Sequence, residues 1–180
     1  REGDITTSRR LLTDALSGFR ARDARGRAAW ALCFLASLDS LHAIDEGGDA
    51  STLELAADRC EEALATFRAS DYLPGITRAL HGRAYIAYKQ RDLPLALAYT
   101  KELLILAREN RRLINNYLND IANIASRSGE AAFAARLYGA ADKERARHNE
   151  PLPPVFRAEF ERGVHSPRRS ASLNLAISSS

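Results

Sequence analysis

Several things are scarce in this chain, and each scarcity excludes a class. Cysteine occurs twice, at Cys33 and Cys60, too few for the disulfide framework of a small secreted scaffold. Both lie in apolar helical stretches, where a reduced thiol is a common small core residue. A disulfide between them would need two helices to present them face to face. Lysine is confined to Lys89, Lys101 and Lys143, so the positive charge is almost all arginine. β-Branched residues are sparse, which argues against a sheet. No apolar run approaches the ~18 residues of a membrane span, and no signal-peptide pattern is visible. A cytoplasmic location and no membrane partner are therefore expected. Methionine is absent altogether, and the first residue is Arg1. A natural reading frame opens on Met, so a fragment or processed piece is expected.

What is present is alanine, leucine and charge. Hydrophobic residues make up 46% and charged residues 27% of the 180 positions, a balance that excludes global disorder. Pro and Gly fall between periodic runs, and that pattern reads as all-α. The net charge of +3 is spread along helices where arginine and acids interleave. A nucleic-acid footprint needs a clustered patch, so no direct nucleic-acid contact is expected.

The clearest unit runs from Leu80 to Leu104. A helix from Gly75 to about Gln90, a tight break at Arg91-Asp92 and a helix from Leu93 to about Glu109 form a hairpin. Ala84, Ala87 and Ala96 sit where helices must touch, and Leu80, Leu97, Leu103 and Leu104 fill the seam. Such a hairpin cannot bury its apolar face alone and must stack on neighbours. Aligning the second helices at Asp14, Glu62, Glu102 and Ala140 gives spacings of 48, 40 and 38 residues. A tetratricopeptide repeat is ~34 residues, and the excess fits in loops. One loop is visible at Ile44 to Asp49, followed by Ser51 and Glu54 as a capping box.

The expected helices are 4–22, 27–43, 52–70, 75–90, 93–109, 112–128 and 130–147. Gly129-Glu130 makes the last tight turn, and Pro151 to Pro154 stops the array. A short helix from Val155 to Arg162 is expected to cap it. The fold expected is therefore a tetratricopeptide-like right-handed α-solenoid of about seven helices plus a C-terminal cap. The repeat domain spans 1–163, and a Ser-rich tail follows at 164–180. The first helix carries Leu11, Leu12, Ala15, Leu16 and Phe19 on one face, which upstream residues or a partner chain would cover.

Catalytic chemistry leaves no trace. There is no phosphate-binding Gly-rich loop, no helix-turn-helix reader and no pair of histidines at metal-ligand spacing. Ser8, Ser37 and Ser40 show no recognisable nucleophile–base pattern with a His partner, and Glu61-Glu62 and Asp142/Glu144 read as solvated charge. No enzyme activity, cofactor or metal is expected. Arg168-Arg169-Ser170 reads as a loose basic tail.

The better candidate is a surface. In stacked hairpins the first helix of each pair lines the concave side. That places Arg78, His81, Tyr85 and Tyr88 on one helix and Asn116, Asn119, Asn123 and Arg127 on the next. Trp30, Cys33, Ser37 and Ser40 would come from the preceding one. Asparagine amides both donate to and accept from a peptide backbone, tyrosine offers broad area with a polar tip, and arginine grips carboxylates. Half-buried packing for the tyrosines, plain polar surface for the asparagines and a core place for Trp30 are the competing readings.

Gly129-Glu130, Ala134-Ala135-Arg136-Leu137-Tyr138-Gly139-Ala140-Ala141, Pro151-Leu152-Pro153-Pro154 and Arg157-Ala158-Glu159-Phe160-Glu161-Arg162 together carry a resemblance. They look like the tetratricopeptide C-terminal domain of large bacterial ATP-binding transcriptional regulators of the LuxR-like and AfsR-like type, and of cyclase-associated ATPases. The chain departs from that pattern at Arg91, where a tight-turn Gly is usual, and at Asp39, where an apolar residue is usual. It departs again at His165 to Arg169, where the closing helix is cut short. The resemblance implies a non-catalytic scaffold or sensor that binds a protein or peptide segment, with ATPase and DNA-binding domains elsewhere in the parent chain. A small-molecule effector domain and a self-association module, a homodimer through helix 4–22, are the alternatives.

Overall fold

The computed structural model describes residues 2–45, 50–108 and 111–147. These residues form seven α-helices and no strand: α1 (Glu2–Ala21), α2 (Arg25–Asp45), α3 (Ala50–Ala69), α4 (Leu73–Lys89), α5 (Leu93–Leu106), α6 (Arg111–Arg127) and α7 (Ala131–Arg147). All seven follow the sequence pattern to within a few residues. The expected cap at Val155 to Arg162, the Pro151 to Pro154 stop and the tail at 164–180 lie outside the described residues. Ser51 lies inside α3, so the first turn of that helix begins upstream of the expected cap.

Four turns share one construction, and it is local. The αL residues are Asp23 (φ 50°), Asp71 (φ 50°), Arg91 (φ 65°) and Gly129 (φ 86°). After each, the next residue's N–H reaches back five positions: Ala24 to Phe19, Tyr72 to Phe67, Asp92 to Ala87 and Glu130 to Ala125, all at 2.9–3.0 Å. The αL residue itself donates three positions back, which completes a Schellman cap and satisfies the last carbonyls of each helix. Asp92 has a second task, since its Oδ1 accepts from the Leu95 N–H at 3.1 Å and caps α5. Arg91 supports this turn at the cost of a conformation that only Gly adopts freely.

The chain divides into two compact units, Arg1–Leu103 and Leu104–Ser180. In the first, α1 packs on α2, α2 on α3 and α3 on α4, and α2 also touches α4. Buried alanines let the axes approach: Ala29, Ala36, Ala56, Ala63, Ala79, Ala87 and Ala96. Leu35, Leu64, Phe67, Leu80, Ile86 and Leu103 fill the space between them. Two glycines of α4 mark the closest approach to α3. A Cβ at Gly75 would stand 2.3 Å from the Phe67 ring, and one at Gly82 would stand 2.8 Å from Cys60 Sγ.

Charge pairs tie the first unit across long sequence separations. Arg20 of α1 meets Glu62 of α3 at 2.6 Å, and Arg68 of α3 meets Glu102 of α5 at 2.7 Å. These pairs are equivalent. Each joins an arginine six residues beyond an aligned acidic position to the next acidic position. The helices α1, α3 and α5 are thus linked in sequence order. Arg78 of α4 reaches Ser37 of α2 in turn. Deeper in, Asp39 is fully buried and accepts from both Arg9 of α1 and Arg59 of α3. That position takes a carboxylate because two guanidiniums converge on it from the flanking helices.

The second unit is described through the α6–α7 hairpin. Ala122, Ala125, Ala134 and Tyr138 form its apolar seam, with Leu137 against it.

Candidate functional site

One strip of the first unit combines cations, rings and exposure. On α2, Trp30, Phe34 and Ser37 recur at helical spacing and share a face. On α4, Arg78, Tyr85 and Lys89 do the same. Phe34 is 47% exposed. The Arg78 guanidinium stands over its ring, 5.9 Å from the centroid, and donates to Ser37 Oγ at 2.6 Å. Phe34 stacks on Trp30 at 5.9 Å, and Trp30 meets Phe67 edge-on at 5.6 Å. The exposed ring is thereby anchored to the core. At the C-terminus of α4, the Lys89 ammonium sits 4.9 Å from the Tyr85 ring centroid and 5.6 Å from that of Tyr88. Both arrangements hold a cation on an aromatic face, worth about 0.5–1 kcal/mol where exposed.

Of the residues expected at a binding face, Arg78 and Tyr85 lie on this strip. His81 and Tyr88, half-buried like Arg78 and Tyr85, are turned roughly 60–80° around the same helix. Lys89 joins Tyr88 to Tyr85. Phe34 and Lys89 were not among the expected residues. The signal for both was present, since Phe34 follows Trp30 by four and Lys89 follows Tyr85 by four, the spacing at which helical side chains meet.

Two other expectations are corrected. Cys33 and Ser40 were expected to line the groove, but both are buried, each 3% exposed. The Ser40 hydroxyl is spent on the Ala36 carbonyl at 2.7 Å. Three helices pack against α2, so little of its circumference stays open. Burial pushes the Cys33 thiol up to about 11, and burial with the neighbouring Cys33 pushes Cys60 up to about 12. Both cysteines are free and unreactive in this setting.

The expected residues of α6 belong to the second unit. Asn123 accepts from the Tyr138 hydroxyl at 2.5 Å and is engaged within the hairpin. Asn119 is half-buried, and its Oδ1 is covered with no hydrogen-bond partner. Arg127 is exposed at the end of α6, and the side chain of Asn116 lies outside the described residues. Tyr117 is buried, which pushes its phenol up to about 12.

On the α3 side of α4 the polar groups are already committed. Arg83 Nε donates to Glu61 Oε1 at 2.7 Å, and the Tyr99 hydroxyl donates to the same oxygen at 2.7 Å. Burial and then that bond raise the Tyr99 phenol above its ordinary value. A separate cleft of about 140 Å³ opens beside the α1–α2 turn, floored by Ala28, Ala29 and Leu32 and edged by Arg20, Arg25 and Glu62. Among the described residues no group of three His, Cys, Asp or Glu could hold a metal ion. No helix among them is long and apolar enough to cross a membrane. Compared with known proteins, the chain matches no family model and no curated protein.

Proposed function

We propose that the chain is a non-catalytic protein- or peptide-binding module built as a tetratricopeptide-like right-handed solenoid. Two features support the architecture. The turns at Asp23, Asp71, Arg91 and Gly129 repeat one design, and the Arg20–Glu62 and Arg68–Glu102 pairs join equivalent positions of alternate helices. The observation that carries the binding reading is the α2–α4 strip, where an exposed Phe34 ring lies under the Arg78 guanidinium and the half-buried Tyr85 and Lys89 follow along the same face of α4. Aromatic residues and arginine are the favoured anchors of protein interfaces. The resemblance of the C-terminal motifs to bacterial ATP-binding transcriptional regulators adds a setting. There the module would sense a partner and bias an ATPase and DNA-binding assembly between resting and active states.

Selection of peptides from a random display library on the intact chain tests this reading. Selected peptides are expected to lose about tenfold or more in affinity against Tyr85→Ala, with the helical circular dichroism unchanged. The same measurement on Asn119→Ala asks whether α6 takes part. If both variants bind as the parent does, the assigned surface is wrong.

One alternative has its own observation. Leu11 of α1 is 56% exposed on a helix whose Leu16 is buried and whose Leu12, Ala15 and Phe19 are half-buried, which favours self-association through α1. Sedimentation of Leu11→Glu beside the parent decides it: a mass that falls with concentration only in the parent supports a dimer.

A further inference from the structure

The turns at Asp23 and Asp71 share one construction but not one surface. Each follows an arginine that pairs with an acid of a later helix, Arg20 with Glu62 and Arg68 with Glu102. Counted from the αL residue, the second turn carries Tyr72, Leu73, Ile76 and Thr77. At the same positions the first carries Ala24, Arg25, Ala28 and Ala29. Three of these side chains are shorter than their counterparts, and the fourth is charged. The cleft of about 140 Å³ lies over the three alanines, and Leu32 completes its floor. Ala28, Ala29 and Leu32 are buried, so the floor is held by the core of the unit. The rim carries charge of both signs: Arg20 with Glu62 as one pair, Arg25 with Asp23 as another. Neither pair uses up its members. Arg25 engages Asp23 through Nε at 2.9 Å, which leaves its Nη1–Nη2 edge for a carboxylate. Glu62 engages Arg20 through Oε1 at 2.6 Å, which leaves Oε2 for an ammonium. All four side chains are more than half exposed, so each pair is weak and can turn toward a ligand.

We propose that this cleft binds a free aliphatic α-amino acid of about the size of leucine. Its side chain lies on Ala28, Ala29 and Leu32, its carboxylate meets Arg25 and its ammonium meets Glu62. The proposal goes beyond the protein-binding reading and stands without it. Size sets the ligand class. A cavity of about 150 Å³ takes a benzene-sized group, whereas drug-sized ligands occupy about 300–1,000 Å³. The volume here therefore suits one branched aliphatic side chain. Charge sets the rest. A rim of arginines alone would suit any carboxylate, the end of a peptide included. Carboxylates beside the guanidiniums add a place for an α-ammonium, which a peptide's C-terminal residue lacks. The backbone orients the zwitterion. The α2 helix begins at Arg25 and has no acidic residue in its first turn, so its positive end favours the ligand carboxylate on the Arg25 side.

Titration of the intact, isotope-labelled chain with L-leucine, followed by amide NMR shifts, provides the test. Saturable shifts are expected at the cleft residues Ala24, Arg25, Ala28, Ala29 and Thr66. L-Leucinamide lacks the carboxylate, N-acetyl-L-leucine lacks the ammonium and L-alanine lacks most of the side chain. Each is expected to bind at least about tenfold more weakly than leucine. Arg25→Gln and Glu62→Gln are each expected to weaken leucine about tenfold, with thermal unfolding nearly unchanged because both side chains are exposed. Ala28→Leu fills the floor and is expected to abolish binding. Glu102→Gln removes the equivalent ion pair one repeat along and is expected to leave leucine binding unchanged. No saturable shift at the cleft would overturn the proposal, as would leucine binding that survives Arg25→Gln and Glu62→Gln undiminished. Equal binding of N-acetyl-L-leucine would overturn it in favour of a peptide C-terminus. None of these outcomes bears on peptide binding at the α2–α4 strip, which the display selection tests separately.

Discussion

Among the described residues the two compact units are both helical, and the polar contacts described in each differ in their reach along the chain. In the first, polar contacts cross between helices far apart in sequence: Arg20 to Glu62, Arg68 to Glu102, Arg78 to Ser37, and Arg9 and Arg59 to Asp39. In the α6–α7 hairpin, the ion pairs Arg145–Asp142 and Arg147–Glu144 stay within one helix, and the Tyr138–Asn123 bond joins adjacent helices. Non-local pairs fix the register of several helices at once, because moving any one helix separates charges on another. A hairpin gets its register from its turn, here the Schellman cap at Gly129. The first unit should therefore be far more sensitive to single polar or steric changes than the hairpin.

The sharpest way to break this contrast is Asp39→Ala. It leaves two guanidiniums facing each other across a buried site and is expected to cost about 3–5 kcal/mol of stability by urea unfolding. A cost under about 1 kcal/mol would mean that the triad is not what orders the first three helices. Next come two glycines that the contrast separates. Gly75→Ala forces a methyl into the Phe67 ring and is expected to cost about 2–3 kcal/mol. Gly139→Ala in α7 meets nothing within 4 Å and is expected to stabilise by about 0.5–1 kcal/mol. Equal effects at the two sites would remove the distinction in packing.

Alkaline titration is a milder probe of the same core. The buried thiols have folded values of about 11 and about 12 against an ordinary value of 9.0. The unfolded chain therefore loses protons that the native chain keeps. Stability is intact below about pH 9 and falls as pH rises toward the folded values. The urea midpoint is expected to drop between about pH 9 and about pH 11, and the drop should shrink in the Cys33→Ala, Cys60→Ala double variant. The smallest effect is expected from Glu102→Gln, which removes an exposed ion pair worth under about 0.5 kcal/mol. A larger loss would show that the Arg–Glu row is cooperative.

Helix existence and the tight turns were legible because their causes are local. Apolar residues recur at helical spacing, and Asp23, Asp71, Arg91 and Gly129 stand where the periodic runs stop. The seam was legible for the same reason: Leu80, Ala84, Ala87, Ala96 and Leu103 are buried, while Leu97 and Leu104 are only half-buried. The candidate site was legible in part. Arg78 and Tyr85 were expected at an open face and lie on the α2–α4 strip, whereas Phe34 and Lys89 were overlooked. Cys33 and Ser40 were misplaced because neither residue type announces how many helices crowd its face.

The sequence alone determined seven helices, their turns and the small residues of their seams, since each depends on neighbours within about five positions. The tertiary structure alone decided that Asp39 is sealed between two arginines and that Gly75 must be bare to admit Phe67. Those outcomes depend on side chains 8 to 30 residues away along the chain, whose approach is fixed by packing rather than by local preference.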